Sequence, residues 1–264
     1  MLGAFYRVVW ILLHTFASIY NTIYLFISYA KFRAGSILAS LVKAGAYDDL
    51  QYLEQCKKDL TKTPKHLSII VGTNSVSGEV LSKVAVYALI SDIDYISYYD
   101  VKGEFTLDRV EIPKYIETRE MPNGRFLWSM TSSRRKSTGQ LRYKNGLDKS
   151  IEVVVLSTAD GKPLLADASR ELWSKRSDAT IKEAVSSKDA LATCITTALG
   201  RRLGNLPETD LAIIFDETMC TYGLLPWHTR FAEFHCIKNV KCFDVASFAN
   251  VLYKFSKCEQ RFGK

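Results

Sequence analysis

No two cysteines of this 264-residue sequence stand in a C-x-x-C pair, and the four histidines, at 14, 66, 228 and 235, show no metal-ligand spacing. Structural zinc is therefore not expected. The six cysteines, at 56, 194, 220, 236, 242 and 258, are scattered through apparent core elements of a chain far larger than those that need disulfide staples. They read as free thiols facing a reducing compartment. No aromatic-interleaved basic repeat, zinc-finger spacing or RNP-like string is present, so nucleic acid is not the expected partner even though the formal net charge is +7. The excess charge points to another polyanion, a phosphorylated ligand or an anionic lipid surface. No internal repeat is evident.

Charge is also missing from Val8 to Ala30, a run of 23 residues bracketed by Arg7 and by Lys31 with Arg33. About 20 apolar residues suffice to cross a bilayer. Trp10 near one end and Tyr24, Phe26 and Tyr29 near the other sit where interfacial aromatic belts lie. His14 and Asn21 leave an interfacial helix as the alternative, and the run is longer than a signal-peptide core and lacks a small-x-small exit. Residues 1–35 are accordingly expected to be an N-terminal membrane anchor, 36–64 a juxtamembrane helix and linker, and 65–264 the folded domain. Lys31, Arg33 and Lys43 beyond the run outnumber Arg7 and the amino terminus before it, which places the large C-terminal part in the cytosol.

Within 36–60, Leu38, Leu41, Val42, Leu50 and Leu53 are spaced as packing positions of a helix that Thr61-Lys-Thr-Pro64 stops. "HLSIIVGTN" then reads as a buried strand feeding a loop at Gly72, and Ser77 to Ser91 as a helix capped by Ser77. The rhythm recurs: strands at 94–101, 151–158 and 210–216, and a helix at 186–204. Continuous apolar strands alternating with helices predict an α/β fold, a mostly parallel central sheet flanked by helices. Ligands of such sheets sit beyond the carboxyl ends of the strands, where Gly72, Tyr99 with Asp100, and Phe215 with Asp216 would lie. Between 123 and 150 the chain carries Arg125, Arg134, Arg135, Lys136, Arg142, Lys144 and Lys149 against the single acid Asp148, and reads as a mobile basic loop. In "GLLPWHTRF", Leu224, Leu225 and Trp227 are interface candidates, and Pro226 is expected to restrain the turn into a following helix.

The sequence ends on "CEQRFGK". Arginine forks hydrogen bonds onto phosphate, and glycine lets backbone approach a ligand, so Arg261-x-Gly263 is a plausible phosphate clamp. The same spelling at Arg202-Leu-Gly204 closes a helix before Asn205 and Pro207, so helix capping explains that copy.

Three stretches together resemble the cis-prenyltransferases, which extend an allylic diphosphate with isopentenyl diphosphate: "PKHLSIIVGTN", "DLAIIFDETMCTYGLLPWHTRFAEF" and the terminal "CEQRFGK". The resemblance runs from about residue 64 to the end. It is closer still to the non-catalytic subunits that partner eukaryotic dehydrodolichyl diphosphate synthase, through "YYDVKGEF", "GLLPWHTRFAEF" and the tail. In catalytic members the first loop carries an aspartate that holds Mg²⁺; here the position is Gly72, followed by Thr73 and Asn74. The positions of their Arg-x-Ser-x-Glu-x-Arg cradle are Ile214, Asp216, Thr218 and Cys220, so both arginines are missing. Glu233 matches the second metal-site acid, and His66 reads as a hydrogen-bonded strand residue rather than a base.

The resemblance implies a non-catalytic but activity-essential subunit on the cytosolic face of the endoplasmic reticulum membrane. Its partners would be a catalytic cis-prenyltransferase subunit, isopentenyl diphosphate and membrane lipid, with Mg²⁺ on the catalytic chain and no metal on this one. Arg261, Phe262 and Gly263 would bind isopentenyl diphosphate, with Arg261 and Gly263 acting in trans in the partner's active site. The alternative is a membrane-anchored receptor or scaffold built on the same enzyme-dead fold.

Overall fold

A computed structural model describes residues 6–20, 22–23, 49–73, 76–103, 124–130, 138–142, 149–204 and 206–259. The chain divides into two units, Met1–Asp48 and Asp49–Lys264. In the first, residues 6–20 form helix α1, with Trp10, Leu13, Phe16 and Tyr20 exposed. Among the described residues no helix is long and apolar enough to cross a membrane. Most of the second half of the expected anchor, and residues 36–48 of the expected juxtamembrane helix, lie outside the described residues.

The second unit is a seven-stranded sheet in the order β4-β3-β5-β2-β1-β6-β7. Its strands are β1 (His66–Val71), β2 (Tyr95–Asp100), β3 (Gly124–Met130), β4 (Thr138–Arg142), β5 (Lys149–Ser157), β6 (Leu211–Phe215) and β7 (Glu233–Cys236). Every pairing is parallel except β3 with β4. The helices are α2 (Asp49–Lys58), α3 (Gly78–Ile90), α4 (Lys162–Ser174), α5 (Ala179–Val185), α6 (Lys188–Leu203) and α7 (Val245–Lys257).

β1 and β6 are buried along their whole length, as continuous apolar runs covered on both faces must be. Alternation along each strand divides their side chains between two apolar layers. Leu67, Ile69, Ile213 and Phe215 pack with Leu81 of α3 and with Phe248, Leu252 and Phe255 of α7. Ile70, Tyr99, Leu156 and Ile214 pack with Leu164 of α4 and with Leu199 and Leu203 of α6.

Capping sets the helix ends. Ser77 accepts from the Val80 N–H at the start of α3, as its spacing predicts. α6 is capped at its start by Ser187, which accepts from Ala190 N–H, and at its end by Gly204, whose φ of +69° is the left-handed conformation that glycine adopts without strain. Arg202-Leu-Gly204 is thus a helix terminus, and Arg202 faces Asp167 and Glu171 of α4.

Two expectations need correction. The segment 123–150, read as a mobile loop, carries β3, β4 and the first residues of β5. Its basic composition conceals a period of two: Phe126, Trp128 and Met130 stand in register with Ile151, Val153 and Val155. Residues 131–137 and 143–148 lie outside the described residues. No helix follows Pro226 directly either; the next regular element is β7, which among the described residues is an edge strand paired with β6 alone. Its four residues are half-buried, so its composition is too mixed to announce a strand.

Candidate functional site

Val71, the last residue of β1, is in register with Asp100 on one side and Phe215 on the other, and Asp100 with Ser157 of β5. The residues picked from the sequence do therefore meet along the carboxyl edge of the sheet. What they build there is a row of buried carboxylates, with Asp100, Asp160 and Asp216 only 2%, 6% and 2% exposed.

Each is satisfied by the chain itself. Asp100 Oδ1 accepts from the N–H groups of Lys102 and Gly103. Asp160 Oδ2 accepts from Ser157 N–H and Oγ, although burial dominates and pushes its pKa up. Asp216 accepts from Thr73 N–H at 2.8 Å, from the Thr73 hydroxyl, from Glu217 N–H at 2.6 Å and from the Tyr222 hydroxyl at 2.5 Å. Burial works against its charge, but these bonds outweigh it and hold the carboxyl below its ordinary range.

Gly72 and Asp216 share one space. A Cβ on Gly72 would overlap Asp216 Oδ2 and stand only 2.7 Å from its Cγ. The loop after β6 closes the same edge. Tyr222 and Gly223 have φ of +50° and +80°, and Tyr99 Oη donates to Tyr222 O at 3.0 Å. A Cβ on Gly161 would run into the Gly223 carbonyl, so close backbone approach requires glycine there.

Leu224 and Leu225, read as interface candidates, are 1% and 2% exposed and pack into the apolar layer below. In this chain they support the loop from within rather than offering a surface. Trp227 is half-buried; its Nε1 donates to Thr196 Oγ1, and the Arg230 guanidinium stacks 3.9 Å from its ring centroid while pairing with Glu208.

His66 is at the opposite end of β1. Its Nδ1 lies 2.9 Å from Pro207 O, which can only accept, so Nδ1 carries the proton and Nε2 accepts from Ser97 Oγ at 3.0 Å. Ser68 links Ser97 to Thr209. Complete burial drives the imidazole pKa down to about 4, so it is a neutral structural group joining β1, β2 and the entry to β6. Glu233 also lies at that end, in register with Leu211, and its Oε1 is 2.8 Å from His235 Nε2. Position 72 and Glu233 are thus at opposite edges of one sheet.

These residues do not fit a metal or a diphosphate at the carboxyl edge. Gly72 brings no ligand, and Asp216 is already held by four donors. The amides that would greet a phosphate serve carboxylates instead. Among the described residues no group of three or more His, Cys, Asp and Glu side chains is placed to hold a metal ion. All six cysteines are free thiols. Arg261, Phe262 and Gly263 lie outside the described residues.

No protein-family model matches the chain. Among curated proteins it is similar to the human dehydrodolichyl diphosphate synthase complex subunit NUS1, at 24% identity over 216 residues, covering 78% of this chain and 69% of that protein. The NUS1 subunit of Saccharomyces cerevisiae is 22% identical over 277 residues, 91% of this chain and 72% of that one. That of Schizosaccharomyces pombe is 24% identical, covering 78% and 79%. This chain is a homologue of the NUS1 subunits. The match over 91% of its length must reach beyond the Asp49–Lys264 unit into the first. Among solved structures it is similar to a probable undecaprenyl diphosphate synthase from Campylobacter jejuni, with 15% identity, a TM-score of 0.46, and 77% of this chain and 100% of that one covered. Lavandulyl diphosphate synthase from Lavandula x intermedia gives 12% identity and a TM-score of 0.47, over 76% and 99%.

The sequence already showed Gly72 and Asp216, but not that they compete for one space. They are distant in the chain, and only the register of β1 with β6 brings them together.

Proposed function

We propose that this chain is the non-catalytic, activity-essential subunit of a heteromeric cis-prenyltransferase that makes dehydrodolichyl diphosphate for dolichol synthesis and protein glycosylation. The observation that carries the reading is the Asp216 carboxylate standing against Gly72 in a NUS1 homologue. Ionising an allylic diphosphate requires its leaving group to be neutralised, since the transition state is loose and catalysis chiefly electrostatic. An edge lined by Asp100, Asp160 and Asp216 works in the opposite sense. The chemistry therefore belongs to a catalytic partner, with Mg²⁺ on that chain.

What this chain contributes is its tail. Arg261 forks hydrogen bonds onto the diphosphate of isopentenyl diphosphate in the partner's active site, and Gly263 brings a backbone N–H beside it, with Phe262 between them. The uncharged run from Val8 to Ala30 anchors the subunit in the endoplasmic reticulum membrane, and the free thiols accord with a cytosolic domain. The rival reading, a receptor or scaffold, has no use for Arg261.

The test is isopentenyl diphosphate incorporation by the catalytic subunit alone, by this chain alone, and by the two co-purified. Activity of the pair well above the sum of its parts supports the reading. Turnover by this chain alone, or a pair no better than the catalytic subunit, overturns it.

A further inference from the structure

The root of the tail is held from outside its own helix. α7 ends without a glycine cap; its C-cap residue, Cys258, is extended, with φ −75° and ψ 126°. The last carbonyls of a helix need donors from elsewhere. Here two consecutive residues of the linker between α2 and β1 supply them. Thr61 Oγ1 donates to Ser256 O, and Lys62 Nζ donates to Cys258 O, each at 2.5 Å. The Lys62 ammonium also stands 4.7 Å from the centroid of the Phe255 ring, and Phe255 and Ser256 are buried. A cation at this place complements the negative end of the helix dipole. On the other side, the Glu233 carboxylate pushes the Cys258 thiol pKa up, and Glu233 Oε1 lies 2.8 Å from His235 Nε2.

We propose that Lys62, assisted by Thr61, is a positioning residue for the tail: by fixing the Cys258 carbonyl it sets where Arg261 can reach. The inference rests on the reading that Arg261 acts in the partner's active site. Two residues, Glu259 and Gln260, separate Cys258 from Arg261, and the three Cα–Cα steps between them span about 10 Å when extended. A fixed root confines Arg261 to a small volume and raises its effective concentration at the diphosphate. If the last turn of α7 frays, the arginine searches a larger volume and meets the substrate less often in the productive geometry.

The experiment uses the reconstituted complex, with kcat and KM for isopentenyl diphosphate measured for Lys62→Met, Lys62→Arg, Thr61→Val, Arg261→Ala and the double variant Lys62→Met/Arg261→Ala. Methionine keeps an apolar stem over Phe255 and removes the ammonium. The expected result is a loss of about ten-fold in kcat/KM for Lys62→Met, a smaller loss for Thr61→Val, and recovery with Lys62→Arg. The double variant should be no worse than Arg261→Ala, because there is no longer an arginine to position. Co-purification with the partner should be unchanged for all of them. An impaired Arg261→Ala beside a wild-type Lys62→Met overturns the positioning role and leaves the proposed function standing. Losses that multiply in the double variant overturn it too, since Lys62 would then act independently of the arginine. Wild-type kinetics for Arg261→Ala would remove the proposed function and this inference with it.

Discussion

Asp216 fills the space that any side chain at position 72 would need. The carboxylate cannot simply swing aside, because Thr73, Glu217 and Tyr222 all donate to it. Gly72→Ala should therefore cost about 1–3 kcal/mol, the usual range for overpacking. Gly72→Asp should cost more, since it also sets two carboxylates against each other. Neither variant should acquire prenyltransferase activity. Removing the obstacle in Gly72→Asp/Asp216→Gly should recover much of the lost stability while still giving no turnover. Urea unfolding read by circular dichroism, with an incorporation assay on the same preparations, checks each step; a Gly72→Asp chain as stable as wild type would mean that Asp216 yields readily.

The buried imidazole at the other end of β1 makes stability depend on pH. His66 has a folded pKa of about 4 against an ordinary value near 6.5, so between these values the unfolded chain binds the proton and the folded chain does not. Its contribution is complete above about pH 6.5 and is lost as pH falls toward 4, amounting to about 3 kcal/mol. His228, also lowered by burial, acts in the same direction. Denaturant midpoints should fall steeply from pH 7 to pH 4.5, and His66→Gln, though less stable at neutral pH, should show a shallower slope. Equal slopes for the two proteins would remove His66 as the source.

Much of this architecture was legible because β1 and β6 are unbroken apolar runs and Ser77 stands where a helix cap belongs. β3 was missed because Arg125 and the basic residues beyond it outweigh the alternation of Phe126, Trp128 and Met130 in any reading by composition. β7 was missed because an edge strand is half-buried and carries Glu233 and His235 beside Phe234. At the site, the missing ligands could be read from Gly72, Ile214 and Cys220. The four donors around Asp216 could not, since two of them belong to Thr73, which only the pairing of β1 with β6 brings beside it, and Tyr222 reaches back only through the fold of its loop.

Burial separates the residues of the 224–231 segment into two kinds. Leu224→Ala should destabilise the chain itself by about 2–5 kcal/mol, as deletion of a fully buried leucine does. Trp227→Ala removes a half-buried ring stacked under Arg230, so its main effect should be on association, about 2 kcal/mol if Trp227 anchors the partner. Paired measurements of unfolding and of subunit affinity should therefore give opposite patterns for the two variants. Weakened association for Leu224→Ala at full stability would put the interface on the leucines.

The tail gives the sharpest comparison, because the chain contains its own control. Charge-assisted hydrogen bonds contribute about 1.5–3 kcal/mol each, so Arg261→Ala should reduce kcat/KM of the complex by roughly ten- to a hundred-and-fifty-fold for each bond lost. Arg202 is spelled the same way, but its guanidinium lies against Asp167 and Glu171 beside the left-handed Gly204 cap. Exposed ion pairs of that kind contribute about 0–1 kcal/mol, so Arg202→Ala should leave turnover unchanged and lower stability only slightly. Gly263→Val should impair turnover through backbone geometry, with the charge of Arg261 intact. Co-purification verifies that every variant still assembles. If Arg261→Ala and Arg202→Ala complexes have the same kinetics, the tail is not part of the partner's active site, and the receptor or scaffold reading takes precedence.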